Sequence, residues 1–338
     1  MTHVLRPATP DDLPAIYQMA KSTGGGFTSL PADRGVLEAR LARASEAFRR
    51  AEDTAGDDLF FFVLENRVDG GVSGTCQIVS RVGATLPFYS YRINVVVQDS
   101  RELDRRFRIE TLTLCNDLDG CSEVGGLYLR AHERSAGVGA LLARSRYLFI
   151  ATHRERFGAR VLAELRGVHD EAGGSPFWDG VAGRFFGMSF QEADRFNARN
   201  GTHLIAELMP RHPLYRALLP DGALAAIGVP HQSGRAAMRM LEAEGFAYGA
   251  YVDVLDGGPT MIAATDTIST ISQARRSTVV AVRPIEQGRT SIVAHGVLDR
   301  FRAALGTVAE DGDGVVLEPR CADAINVAPG DIVTHVLR

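Results

Sequence analysis

Three features of the sequence predict an α+β fold built around one glycine turn. The first is the stretch from Leu127 to Ala143, where a short apolar strand, Leu127-Tyr128-Leu129, runs into the turn Arg134-Ser135-Ala136-Gly137-Val138-Gly139. That turn opens a helix, expected to be amphipathic, which continues through Arg144, Tyr147, Leu148, Phe149 and Ile150. The second is a pair of apolar strands over 59–65 and 74–82, joined by the hairpin turn Asp69-Gly70-Gly71. The third is a change of texture near residue 264, beyond which Val-rich segments alternate with Gly/Asp/Pro turns. These features divide the chain into a larger domain, 1–260, and a small β-rich C-terminal module, 261–338.

The central turn carries its own chemistry. Glycines at 137 and 139 remove Cβ atoms where backbone must approach something closely. The first-turn N–H groups of a helix lack internal partners, and the dipole there favours anions. Arg134, Ser135, Ala136, Gly137, Val138 and Gly139 are therefore candidates to cradle a diphosphate.

Bulk properties narrow the class of protein. The 338 residues are 45% hydrophobic and 23% charged, an ordinary globular balance. A formal net charge of -4 gives no general attraction to nucleic acid or to an anionic membrane surface. Cys76, Cys115, Cys121 and Cys321 form no Cys-x-x-Cys pair and no zinc spacing, so no metal is expected and free thiols in a reducing cytoplasm are. The first residues lack the apolar core of a signal peptide, and no segment reaches the roughly 20 apolar residues of a membrane span. A cytoplasmic protein is expected.

In chain order, a strand at His3–Arg6 precedes a helix capped by Thr9 with Pro10 behind it, stopped by Gly24-Gly25-Gly26. The triple glycine is either a turn over a site or a plain helix stop. A second helix spans 36–50 with Leu37, Leu41 and Phe48 inward. Segment 83–126 reads as irregular and polar, with strand-like pieces at 92–97 and 111–114. A buried strand at 159–166 follows the central helix. Ser175 with Pro176 starts a helix whose Trp178 is read as core. Then come a strand at 203–210, a short helix at 223–227, a loop at 228–233, a helix at 235–244 and a strand at 251–254. In the C-terminal module, strands are expected at 277–282, 315–317 and 332–337, with one helix over 297–305.

Several stretches together resemble the arginine N-succinyltransferase family. They are Gly24 to Pro31, Ser145 to Ala151, Glu164-Leu165-Arg166-Gly167-Val168, Ser175-Pro176-Phe177-Trp178, Phe185 to Phe190, Ile205 to Pro213 and Leu241 to Phe246. The match is collinear up to about Thr260 and weak in 83–126 and after 264. The resemblance implies a Gcn5-related N-acyltransferase-like fold, a mixed and mainly antiparallel sheet flanked by helices. It implies transfer of succinyl from succinyl-CoA to the α-amino group of L-arginine, with succinyl-CoA as co-substrate and no permanently bound cofactor. A histidine in the loop before the last helix, here His231, is implied as proton donor. A leucine on the strand before the phosphate turn, here Leu127, is implied in succinyl-CoA binding, and Leu129 lies on the same strand. Some members work as paired non-identical subunits that accept arginine and ornithine. A homo-oligomer, or a hetero-oligomer with a related subunit, is therefore implied. The same fold acting on ornithine or another amine, or a non-catalytic partner subunit, are the alternatives.

The implied chemistry asks for further groups. Aminolysis of a thioester needs a neutral amine held in line, donors for the oxyanion and an acid for the departing thiolate. A guanidinium acceptor calls for carboxylates, and Glu164 and Glu207 are the first candidates, with Asp170, Asp253 and Asp256 behind them. Arg166 and Ser175 are candidates for the succinyl carboxylate. Two departures from the family pattern bear on loop geometry: Arg130-Ala131 stands where the family writes Asp-Pro, and Pro230 precedes His231.

Overall fold

A computed structural model of the chain describes residues 3–23, 29–134, 137–201 and 207–338, with only the backbone of Arg199. The described strands are β1 (His3–Pro7), β2 (Leu59–Asn66), β3 (Val72–Val79), β4 (Ser90–Ser100), β5 (Arg105–Cys115), β6 (Ser122–Leu129), β7 (Arg160–Glu164), β8 (Leu214–Tyr215), β9 (Ala247–Asp253) and β10 (Pro259–Ala264). After them come β11 (Arg275–Val282), β12 (Arg289–His295), β13 (Arg302–Asp311), β14 (Gly314–Leu317) and β15 (Ile332–Leu337). They join in the order β12-β15-β11-β14-β13-β1-β2-β3-β6-β7-β10-β9-β4-β5-β8. Among the described strands only β6–β7 and β11–β14 pair in parallel.

Because β12 also pairs with β13, the five C-terminal strands close on themselves as a small barrel. Val279, Val293, Val315, Leu317 and Val333 fill its interior. The barrel joins the rest of the sheet where Ala303 pairs with Leu5 of β1.

The helices that matter for the site are α1 (Leu13–Lys21), α2 (Arg34–Arg49), α3 (Val138–Thr152), α4 (Pro176–Gly180) and α5 (Arg235–Ala243). The sequence suggests an amphipathic α3, but the structure buries it on nearly every side, including Ser145 and Arg146. The reason is position. α3 is the crossover between the parallel strands β6 and β7, and it also packs on β12, β13 and β15 of the barrel.

Phe149 anchors this arrangement. Its ring lies 4.8 Å from Phe60, 5.1 Å from Phe62 and 5.1 Å from Phe301, mostly edge to face. Phe149→Ala should destabilise the fold by about 3–5 kcal/mol. The check is a lower urea midpoint with an unchanged m-value.

Three expectations are corrected. Segment 83–126 is not irregular: β4 and β5 form a hairpin paired from Ser90↔Cys115 to Ser100↔Arg105. Its outer half exposes Val95, Val96, Val97 and Phe107, so it lacks the in–out alternation that marks a strand in sequence. The helix expected over 297–305 is a short 3-10 turn followed by β13, because seven residues from Arg302 to Val308 pair with β12. Propensity yielded to tertiary pairing there. The strand expected over 203–210 lies partly outside the described residues, and Glu207–Leu208 are helical. Gly24-Gly25-Gly26 also lie outside the described residues. Trp178, read as core, is fully buried and donates from Nε1 to the Met188 carbonyl at 2.9 Å.

Candidate acyl-transfer site

The site begins where two parallel strands part. β6 and β7 pair only at Ser122↔Val161 and Glu123↔Leu162. From Val124 to Leu129, β6 keeps its partner β3 but no longer meets β7, which is paired on its other edge with β10 throughout. A bulge accentuates the split: Thr75↔Tyr128 is followed by Gln77↔Gly125, which leaves one extra residue on β6. Gly126 takes φ 59° there, a conformation open to glycine. Leu127 and Leu129, both half-buried, lie beyond the bulge on the strand edge facing the slot.

At the mouth of the slot is the start of α3. Gly137 is its N-cap with φ 86°. A Cβ placed on Gly139 would find only the tip of Leu129, at 4.0 Å, so space remains beside it. Val138 is buried, and Arg134 is exposed with Nε donating to the Leu129 carbonyl at 3.1 Å. Ser135 and Ala136 lie outside the described residues. One cation escapes sequence inspection: the Arg338 guanidinium lies against Gly137, 2.5 Å from where a Cβ would stand. Only the fold reveals it, because β15 delivers Arg338 from the far end of the chain.

His231 hangs from the exit of β7. Its N–H donates to the Arg166 carbonyl at 2.8 Å, while the Gly228 N–H donates to the Gly257 carbonyl at 2.8 Å. The Ser233 N–H donates to the His231 Nδ1 at 3.2 Å, with the Ser233 hydroxyl 2.7 Å away. The proton of the neutral ring therefore sits on Nε2. Burial, and then the charges of Arg166 and His169, hold the imidazole pKa below its usual value.

His169, which the sequence reading passed over, lines the same corner. Its Nδ1 accepts from Arg166 Nε at 3.0 Å, its Nε2 is 3.4 Å from Asp256, and its ring is 6.1 Å from that of His231. Arg166, offered for the succinyl carboxylate, is thus engaged by His169. Ser175, the other such candidate, is fully buried with its hydroxyl capping α4 through the Trp178 N–H at 3.2 Å.

The carboxylates divide into structural and available ones. Asp256 accepts from the Gly167 N–H at 2.7 Å and the Gly258 N–H at 2.8 Å, tying the exit of β7 to the turn after β9. Asp253 accepts from the Leu255 and Asp256 N–H groups at 2.7 and 2.9 Å, and burial beside Asp256 pushes its carboxyl up to about 7. Glu164 differs. Its Oε1 is buried with no hydrogen-bond partner, and so is the Oγ1 of Thr260, its register partner on β10. Burial, followed by the charges of Asp253, Glu123 and Asp256, raises the Glu164 carboxyl well above the usual range. Two orphaned acceptor atoms on one rung suit a ligand rich in donors. Glu207 is exposed and Asp170 closes a local turn with the Gly174 N–H at 2.7 Å, so neither joins this group.

The remaining chemistry is limited. Burial pushes the Cys76 and Cys321 thiols up to about 12, far from nucleophilic thiolates. Among the described residues no group of three or more His, Cys, Asp or Glu could hold a metal ion, and no helix is long and apolar enough to cross a membrane.

A strand edge freed beside a glycine-opened helix, with a histidine and buried acids at the far side, is the frame of an acyl-CoA-dependent amine acyltransferase. Comparison with known proteins makes the class specific. The sequence matches the family model described as arginine N-succinyltransferase beta subunit over residues 3–270, and the C-terminal domain of that subunit over residues 275–336. It is 40% identical to the arginine N-succinyltransferase of Citrobacter koseri, over 98% of this chain and 97% of that one. It is 38% identical to the arginine N-succinyltransferase subunit beta of Pseudomonas aeruginosa, over 98% and 97%. The solved structure of arginine/ornithine succinyltransferase subunit AI from Pseudomonas aeruginosa superposes with a TM-score of 0.90 at 34% identity, covering 99% of this chain and 98% of that one. The chain belongs to the arginine N-succinyltransferase beta subunit family.

Proposed function

We propose that this protein is a cytoplasmic arginine N-succinyltransferase, moving the succinyl group of succinyl-CoA to the α-amino group of L-arginine. The observation that carries the reading is the slot itself. The unpaired edge of β6 leads from the start of α3 toward the apex at Glu123, and the β7 side of the slot carries Glu164, with its orphaned Oε1, and His231 on the Arg166 carbonyl. In this reading the Gly137–Gly139 turn, with Arg134, Ser135, Ala136, Val138 and Arg338, binds the coenzyme diphosphate. Pantetheine amides pair with the free edge at Leu127 and Leu129, as an extended peptide adds to a sheet. Backbone N–H groups of that edge stabilise the oxyanion. Glu164 and Thr260 accept from the guanidinium of the substrate.

His231 then handles the proton. With its pKa held down, the ring is neutral near pH 7 and can take, through Nε2, the proton that the neutral amine sheds as its nitrogen bonds to the thioester carbonyl. The same ring returns that proton to the departing thiolate. The acid limb of kcat/KM should therefore fall below the ordinary histidine value of 6.5, with activity flat above it into the neutral range. A limb centred above 6.5 in the pH–rate profile would contradict this role.

In this assignment residues 1–260 carry the transferase, with β10 completing its sheet, and the module 261–338 holds the supporting barrel from β11 onward; the protein works in an assembly with a second copy or a related subunit. The test is release of free thiol from succinyl-CoA with arginine, ornithine and lysine in parallel. Release with arginine supports the reading, and release with ornithine in its place would move the acceptor. No release with any of the three would sink it.

A further inference from the structure

Succinyl differs from acetyl by carrying a distal carboxylate, and a buried carboxylate needs a cation and hydrogen-bond donors. The two residues the sequence offered for it are otherwise engaged, Arg166 by His169 and Ser175 by α4. A different group lies at the closed end of the slot. Glu123 is the last β6 residue paired with β7, so it marks the apex where the strands part. Beside it, Arg40 of α2 donates from Nη1 to the Ser29 carbonyl, and the Ser29 Oγ accepts from the Gly126 N–H at 3.1 Å. A Cβ built on Gly125 would stand 3.4 Å from Glu123 Oε1, 3.5 Å from Gln77 Nε2 and 3.5 Å from Ser29 Cβ. Gln77 is 4% exposed and its Oε1 has no partner.

We propose that Arg40, with Gln77 and Ser29, receives the distal carboxylate of the succinyl group and selects it over uncharged acyl groups. The proposal rests on the succinyl-transfer reading above. Its geometry follows from the direction of β6. The diphosphate end is at Gly137 and the apex is at Glu123, with about 20 Å of strand between Leu129 and Glu123. An extended pantetheine arm laid along that edge points its acyl group at the apex, where the chain has no Cβ at Gly125 or Gly126. Arg40 supplies the cation, and the Gln77 amide can turn to present its NH2. Glu123 is the acid whose charge opposes Arg40, and burial raises its carboxyl. It balances Arg40 until the acyl carboxylate competes for the same guanidinium.

The test compares acyl donors. In the full chain, Arg40→Met with Glu123→Gln removes cation and acid together and leaves no buried lone charge. With arginine as acceptor, kcat/KM for succinyl-CoA should fall by about 10- to 100-fold, the scale of a lost charge-assisted hydrogen bond. The value for acetyl-CoA should hold or rise, and calorimetry should show unchanged affinity for CoA itself. Gln77→Leu leaves both charges in place and should show a smaller loss confined to succinyl-CoA. It carries the test if the double variant does not fold. An equal fall for both donors, or no change for either, overturns the proposal. If the unaltered protein does not use succinyl-CoA at all, the underlying reading fails first, and the two failures are distinguishable.

Discussion

His231→Ala should lower kcat by about 10²- to 10⁴-fold, the usual contribution of a positioned acid–base group. The affinity for CoA should stay the same, because the ring is held at the exit of β7 rather than at the start of α3. The fold should also persist. The imidazole is partly solvent-accessible, and among the described residues its side-chain hydrogen bonds run to Ser233 of its own turn. The acid limb of the pH profile should disappear with the residue, since no group then titrates in that role. Retained turnover would leave the protein with a binding or supporting part. Loss of CoA affinity together with turnover would mean a collapsed loop rather than a missing proton carrier. Steady-state kinetics with calorimetry on the variant separates these outcomes.

The second large effect is expected at Glu164. Glu164→Gln keeps the shape but replaces an acceptor with a group that is half donor, facing a substrate end that only donates. KM for arginine should rise by about 10- to 100-fold, and KM for succinyl-CoA should be unchanged. The folded-state pKa values of Glu164 and Asp253 are raised, the latter to about 7, so both hold protons at a pH where free carboxyls are ionised. That arrangement loses folding stability as pH rises from the ordinary carboxylate range through those raised values. An arriving guanidinium favours the ionised forms, so arginine binding near pH 6 should release protons. Calorimetry in buffers of different ionisation enthalpy reads that release, and Glu164→Gln should diminish it. Proton uptake on binding would contradict the assignment of an acidic acceptor pocket.

Much of this site was legible in the sequence because it depends on local order. A strand, glycines and a helix stand next to one another between Leu127 and Ile150, so the glycine turn needs no tertiary information. Ser175 and Pro176 likewise announced a helix start, although the Ser175 hydroxyl serves that cap and nothing else seen here. Glu164 stood out as an acid on an apolar strand, and the fold gave it an unpartnered oxygen. Glu207 stood out for the same reason, yet the residue is helical and exposed.

What the sequence withheld is what β pairing and chain reversal assemble. Arg40, Gln77 and Glu123 belong to a helix and two paired strands, and only the fold groups the three near the apex of the slot. Each alone reads as an ordinary surface charge or strand amide. Arg338 reaches Gly137 across 201 residues of separation, because β15 lies beside α3. The β4–β5 hairpin shows in the sequence only as strand-like pieces at 92–97 and 111–114, because the apolar residues of its outer half are exposed, which erases the period of two there.

Where the coenzyme lies is the most direct question, and a crystal structure of the protein with CoA bound answers it. The expected result is a diphosphate at the Gly137–Gly139 turn, with the pantetheine amides paired to β6 at Leu127 and Leu129 and the sulfur pointing toward His231. Coenzyme bound elsewhere on the chain, with side chains filling the gap between β6 and β7, would contradict the account.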